Sequence, residues 1–298
     1  MKVAYSDQYD LHLGDHVFPA AKYRLAKEKL LREAVIAADD IVEPEPATDE
    51  DITIVHHPEY VRKLKTGTLS WQELARLEIP YSTEMVRAVW LAAGGSIVAG
   101  KLALEDGVAV NLTGGFHHAF PDHGEGFCAI HDVAVAIRRL QRDTLIKRAT
   151  TVDCDVHQGN GTAAIFASDA TVFTFSIHQE RNYPYPKPPS SLDVNLYDGT
   201  GDDEYLAALE AGLNQSLGRF SPDVIFYLAG ADPYREDQLG GLRLSLEGLE
   251  QRDRMVLEAA RSRGIPVVVT LAGGYARRVE DTVRIHCNTV RSAKDYAA

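Results

Sequence analysis

The chain has 298 residues, 45% of them hydrophobic and 25% charged, which is ordinary globular composition, and a single domain spanning residues 1–298 is expected. A formal net charge of −12 argues against a general basic surface, so no direct nucleic-acid partner is expected. Three cysteines, Cys128, Cys154 and Cys287, lie far apart with no CxxC spacing, which fits a reducing compartment and an expected cytoplasmic location.

In chain order, MKVAYSDQYDLHLGDH meets charged and turn-forming residues too early for a signal peptide, and its KVAYS reads as a first strand. A helix is predicted over 20–38, and EPEPAT from Glu43 reads as a surface connection before a strand in ITIV from Ile52. The helix predicted over 83–104 contains an uncharged apolar stretch between Arg87 and Lys101. That stretch is short of the roughly 20 residues that cross a bilayer, so it reads as a packed helix and no membrane partner is expected. Next come a strand in VAVNL from Val108, a helix over 133–142, and strands in ATTVDCD from Ala149 and TVFTFSI from Thr171. The proline-rich YPYPKPPSS, 183–191, cannot join a ladder.

A helix over 203–217, with Asp202 or Asp203 as its cap, leads to the strand DVIFYLAG from Asp223. A last helix over 246–263, stopped by Gly264 and Pro266, precedes IPVVVTLAGG from Ile265. Continuous apolar strands alternating with helices predict an α/β fold of three layers, a doubly wound, mostly parallel sheet flanked by helices.

The residues able to do chemistry gather just past the strand ends: TGGFHH after VAVNL, DCDVHQGNG after TTV, AD after FYLAG and GGY after VVTLA. In an open parallel sheet that edge binds ligands. The topology therefore predicts that His117, His118, Asp153, Asp155, His157, Asp232 and Tyr275 converge.

Asp155 and His157, two apart, share a face of an extended chain and can meet one ion. Asp232 from another strand would complete an Asp, His, Asp set with open positions, as in catalytic zinc sites, although iron, cobalt or manganese suits the same ligands. Alone, a D-x-H in a loop is more often a set of hydrogen bonds. Three alternating polar groups entering a buried layer are costly without a partner, and a cation removes that cost. Asp153 is cast as the acceptor that fixes a histidine tautomer, and Asn160 as a weaker, neutral one. His117 and His118, after Gly114 and Gly115, reach one site only if the turn is irregular, and they suit general base and acid work on a metal-bound water. The Tyr275 phenol is placed to donate to a developing oxyanion. His12, His16, His56, His57, His123, His131, His178 and His286 read as surface, cap or packing residues, with His16 and His178 nearest the mouth. Cys154 points to the opposite face and reads as core.

Taken together, GGFHHAFPDHGEGFC (114–128), VDCDVHQGNGT (152–162), AGADPYREDQLGGL (229–242) and LAGGY (271–275) resemble the zinc-dependent histone deacetylase superfamily, which has the arginase-like fold. Gln158, Gly159 and Asn160 resemble its class II and class IV branches, and the short, insertion-free form with DDEYL and QLGGL is similar to class IV. The resemblance implies Zn²⁺ on Asp155, His157 and Asp232, proton transfer by His117 and His118, and polarisation of an amide carbonyl by Tyr275. It implies that Asp153 supports His117, and that Asn160 supports His118 where other branches place an aspartate. It also implies a K⁺ ion held by Asp153, the Ser176 hydroxyl and the carbonyls of Asp155, His157 and Ile177. Gly126, Phe127 and an aromatic from the Tyr183 to Tyr185 loop would wall a narrow channel, with Leu239 at its rim.

The implied reaction removes acetyl or longer acyl groups from the ε-amine of lysine, and the implied partner is an acyl-lysine protein or a small-molecule amide such as an acetylpolyamine. One departure is that Glu78-Ile79-Pro80 stands near the position of a substrate-gripping loop aspartate. Two rivals are a two-manganese ureohydrolase, which needs a further carboxylate where Gly159 stands, and a non-catalytic acyl-binding module, which would be expected to have lost Tyr275, a ligand or a histidine.

Overall fold

The computed structural model describes residues 1–11 and 13–297; His12, expected at the surface or in packing, lies outside the described residues. In chain order the elements are β1 (Lys2–Ala4), α1 (Ala21–Arg32), β2 (Ile41–Val42), α2 (Asp49–Thr53), α3 (Pro58–Thr66), α4 (Trp71–Leu77) and α5 (Thr83–Asp106). There follow β3 (Val108–Asn111), α6 (Asp132–Arg142), β4 (Ala149–Asp153), α7 (Asn160–Phe166), β5 (Val172–Gln179) and β6 (Leu192–Leu196). The last are α8 (Asp202–Arg219), β7 (Val224–Leu228), α9 (Leu246–Arg261), β8 (Val267–Thr270) and α10 (Val279–Ala297).

The eight strands form one sheet in the order β2-β1-β3-β8-β7-β4-β5-β6, and every neighbouring pair is parallel. Alternate residues feed two cores. Val108, Val110, Ile225, Tyr227, Val267 and Val269 face one, while Ala109, Val224, Phe226 and Val268 face the other. α1, α8, α9 and α10 cover the first face, and α5 and α6 cover the second. Burial on both faces explains why the central strands read as unbroken apolar runs.

Several local expectations change. ITIV at Ile52 is not a strand, because Thr48 and Asp51 form a reciprocal capping box that starts α2 and draws Ile52 into it. α1 stops at Arg32, since Ala34 takes a left-handed φ of 52° and the amides of Val35 and Ile36 turn back to Leu30 O. Asp202 does not cap α8; its carboxylate accepts from the amide and hydroxyl of Ser245, ahead of α9. Gly264, at φ 65°, does follow the end of α9. α5 is longer than expected, and at 24 residues it passes for a membrane span by length and composition, yet most of it is buried between β3, β8 and α6.

Candidate active site

β3, β8, β7 and β4 are adjacent in the sheet, so the segments leaving their carboxyl ends lie side by side. Asp155 and His157 do not lie on the extended strand that their spacing predicts. β4 ends at Asp153, and 155–157 are bends, so Asp155 and His157 meet through a turn and not along a strand. Each aspartate shapes that turn: Asp153 Oδ1 accepts from Asp155 N at 3.1 Å, and Asp155 Oδ1 from His157 N at 3.0 Å.

Asp155, His157 and Asp232 are buried, with one ligating atom from each within 4.8 Å of the others. The second oxygen of Asp155, Oδ2, accepts from Gly273 N, and Asp232 Oδ1 accepts from Val156 N, both at 2.9 Å. Asp232 Oδ2 is buried without a hydrogen-bond partner, 3.7 Å from His157 Nδ1. A buried orphan acceptor beside an imidazole nitrogen and a second carboxylate is a donor set suited to a divalent cation. Burial and the Asp155 carboxylate push Asp232 up to about 7, and a bound cation would favour its ionised form. Gly273 is required by close approach, as a Cβ there would lie 2.0 Å from Asp232 Oδ2.

The loop after β3 is irregular, as both histidines require. Asp132, in the first turn of α6, accepts the amides of Gly115 and Phe116 at 3.1 and 2.9 Å and the Ser96 hydroxyl. Gly114 and Gly115 take φ of 79° and 77°, and the rings of His117 and His118 come to 4.0 Å. His117 Nδ1 lies 2.7 Å from Asp153 Oδ2, and His118 Nδ1 lies 2.7 Å from Asn160 Oδ1. Burial alone would lower both pKa values. For His117 the carboxylates of Asp153 and Asp155 outweigh burial and raise it to about 9, whereas His118, with charged neighbours in His117 and His157, falls well below its usual value.

Tyr275 faces the same space, buried, its phenol pKa raised by burial so that it remains a donor. Asp237 holds its loop, accepting from Tyr275 N at 2.7 Å and Leu239 N at 2.8 Å. From below, the buried Lys22 donates to Ala272 O at 3.0 Å, and Arg252 donates to Gly230 O at 2.5 Å, within the loop that carries Asp232. The sequence reading missed Asp132, Asp237, Lys22, Arg252 and Glu125. The signals were present for two of them: Lys22 shares the buried stripe of α1 with Ala26 and Leu30, and Arg252 that of α9 with Leu249 and Val256.

A channel of about 240 Å³ reaches these groups, lined by Glu78, His118, Gly126, Phe127, His157, Asn182, Tyr183, Leu239 and Tyr275. Tyr183 is a wall, but Tyr185 is not; the residue is 70% exposed and is absent from the channel lining. His16 stands beside the mouth, edge-on to Phe127 with its Nε2 2.8 Å from Glu78 O. His178 does not, being fully buried on β5 with its Nδ1 2.9 Å from Ser176 Oγ. Asp153 and Ser176 are paired in register, with Ile177 next along β5. Cys154 is core, as expected. A side chain at position 159 has no room, since its Cβ would stand 2.6 Å from Asp153 Oδ2, which removes the extra carboxylate a ureohydrolase needs.

A profile of the histone deacetylase domain matches residues 16–290. The chain belongs to the histone deacetylase family. It is 42% identical to an uncharacterized protein of Picosynechococcus sp., over 94% of each chain. It is 32% identical to histone deacetylase 2 of Arabidopsis thaliana, over 95% of this chain and 78% of that one. The acetoin utilization protein AcuC of Bacillus subtilis is 29% identical over 91% and 76%. Among solved structures, an HDAC homologue complexed with SAHA superposes with a TM-score of 0.85 at 26% identity, covering 99% of this chain and 84% of that one. These matches agree with the eight-stranded parallel sheet as a deacetylase fold, and family membership makes the protein a hydrolase of the deacetylase kind.

Proposed function

We propose that this deacetylase is a zinc-dependent amidohydrolase that removes acetyl groups from lysine ε-amines. The observation that carries the reading is the orphaned Asp232 Oδ2, set against Asp155 and against His157, which lines a channel walled by Phe127 and Tyr183. Zinc on Asp155, His157 and Asp232 would supply Lewis acidity toward the acyl carbonyl and a water of lowered pKa. The chain's own groups do the rest. Asn160 Oδ1 accepts the Nδ1 proton of His118, which leaves Nε2 with its lone pair as the base. His117, held protonated beside Asp153, supplies positive charge and a proton near the departing amine. The Tyr275 phenol donates to the carbonyl oxygen as it gains charge. The aromatic walls pack the aliphatic stem of lysine and keep bulk water out.

We also assign a potassium ion to Asp153, Ser176 and the carbonyls of Asp155, His157 and Ile177, a reading supported by the β4–β5 register that sets Asp153 beside Ser176. Three free, buried thiols support a reducing, cytoplasmic setting.

The test compares acetyl-lysine peptides, longer acyl-lysine peptides and acetylated polyamines, with zinc and after chelation. Hydrolysis of the acetyl-lysine peptide in preference to the others, lost on chelation, is expected. Tyr275→Phe should lower kcat by about a hundredfold or more with zinc affinity unchanged. Undiminished turnover in that variant would contradict the oxyanion role, and hydrolysis confined to polyamines would contradict the lysine reading.

A further inference from the structure

Asn160 is held from both ends. Its Oδ1 faces His118 Nδ1 at 2.7 Å and accepts from Gly161 N at 3.0 Å, while its Nδ2 donates to Glu125 Oε1 at 2.7 Å. A backbone N–H only donates and an ionised carboxylate only accepts, so the two contacts fix the orientation of the amide independently. His118 Nδ1 must then carry the proton. Glu125 comes from the GEGF turn that also supplies Gly126 and Phe127 to the channel, and its side chain is only 20% exposed. The same Oε1 accepts the Tyr183 hydroxyl at 2.6 Å, and the other oxygen lies 3.6 Å from His123 Nε2. Nothing in the reaction above uses this carboxylate.

We propose that Glu125 is a positioning residue that sets the polarity of the chain Glu125–Asn160–His118 and so fixes the tautomer of the base. The assignment rests on His118 acting as that base. It makes a statement about position 160 that a packing role does not. The side chain there must accept toward His118 and donate toward Glu125, and an asparagine does both. An aspartate would serve His118 taken alone, but it would set two carboxylates 2.7 Å apart. The clash disappears if position 125 is neutral, because the glutamine amide of Glu125→Gln can turn and donate. The Tyr183 hydroxyl, which accepts as well as donates, tolerates that reversal.

The test is the cycle of Asn160→Asp, Glu125→Gln and the double variant, zinc-loaded, with kcat and KM measured separately on an acetyl-lysine peptide and melting temperatures measured on the metal-free proteins. Asn160→Asp is expected to lose about tenfold or more in kcat, and adding Glu125→Gln to return most of that loss. Simple addition of the two losses, or full activity in Asn160→Asp, would overturn the assignment. Should Asn160→Asp not fold, a folded double variant supports the polarity and an unfolded one overturns it. A parent protein inert toward every amide would instead sink the function proposed above, while the melting temperatures would still report whether positions 125 and 160 are coupled.

Discussion

At the scale of single residues, the site is built from atoms whose alternatives are sterically or electrostatically closed. Gly273 is the plainest case, because any side chain there enters the space between Asp232 Oδ2 and Asp155 Oδ2, at 2.0 and 2.5 Å from its Cβ. Gly273→Ala is expected to weaken zinc binding by about tenfold to a hundredfold in a chelator competition, with its fold intact by circular dichroism. An unchanged affinity would mean that the two carboxylates do not hold the ion together.

The members of this set were legible in the sequence because carboxylates and imidazoles recur past several apolar strand ends, where buried charge is costly without a partner. How they meet was not legible: Asp155 and His157 converge through side-chain-to-backbone turns, which pattern reading renders as a strand. For Lys22 and Arg252 the sequence offered a place on a buried helical stripe but not the partner. Lys22 finds its carbonyl acceptor 250 residues away and Arg252 finds Cys154 98 residues away, contacts that exist only once the sheet is assembled.

At the scale of elements, helix ends carry as much of the site as strand ends do. Asp132 opens α6 and accepts the amides of Gly115 and Phe116, tying the loop of His117 and His118 to Ser96 on α5. Burial raises its pKa, and three donors, the Ser96 hydroxyl and the amides of Gly115 and Phe116, hold it in place. Asp132→Ala strips those amides of their acceptor and is expected to cost roughly 3 kcal/mol in denaturant unfolding, with a fall in kcat as the loop loosens. A loss within about 0.5 kcal/mol would show that the glycine turn holds its shape unaided.

α2, α3, α4, α7 and α10 went unpredicted, whereas the long apolar strands and α1, α5, α6, α8 and α9 were read because burial on both faces of the sheet leaves a dense signal. β2 and β6 were not. β2 has only two residues, and β6 is a half-buried edge strand with Asp193 and Asn195 in it. Ile52 went the other way, its β-branched run overridden by a capping box that acts over three residues.

At the scale of the whole molecule, the order β3-β8-β7-β4 is what turns four distant sequence motifs into one cavity, and that convergence was predictable from alternating strands and helices alone. The same assembly buries a histidine lock away from the reaction. His56 Nδ1 faces Phe120 O at 2.9 Å and its Nε2 accepts from His131 N at 3.0 Å, an arrangement open only to the neutral ring. Burial depresses His56 from 6.5 to about 4, so the unfolded chain binds the proton more readily. Stability from this group is therefore complete above pH 6.5 and is lost as pH falls toward 4, by up to roughly 3 kcal/mol. His56→Gln, which can keep both hydrogen bonds, is expected to flatten the decline of melting temperature across that window. Coincident slopes in parent and variant would remove His56 from the acid response.

On the proposed reading, one divalent cation seated by Asp155, His157 and Asp232 makes this chain an amide hydrolase. This is tested most directly by titrating zinc into the metal-free protein while following acetyl-lysine hydrolysis and bound metal together. The account predicts activity rising in proportion to one tightly bound zinc per chain, with both absent in Asp232→Asn. Activity in the metal-free protein, or tight zinc binding that survives Asp232→Asn undiminished, would contradict it.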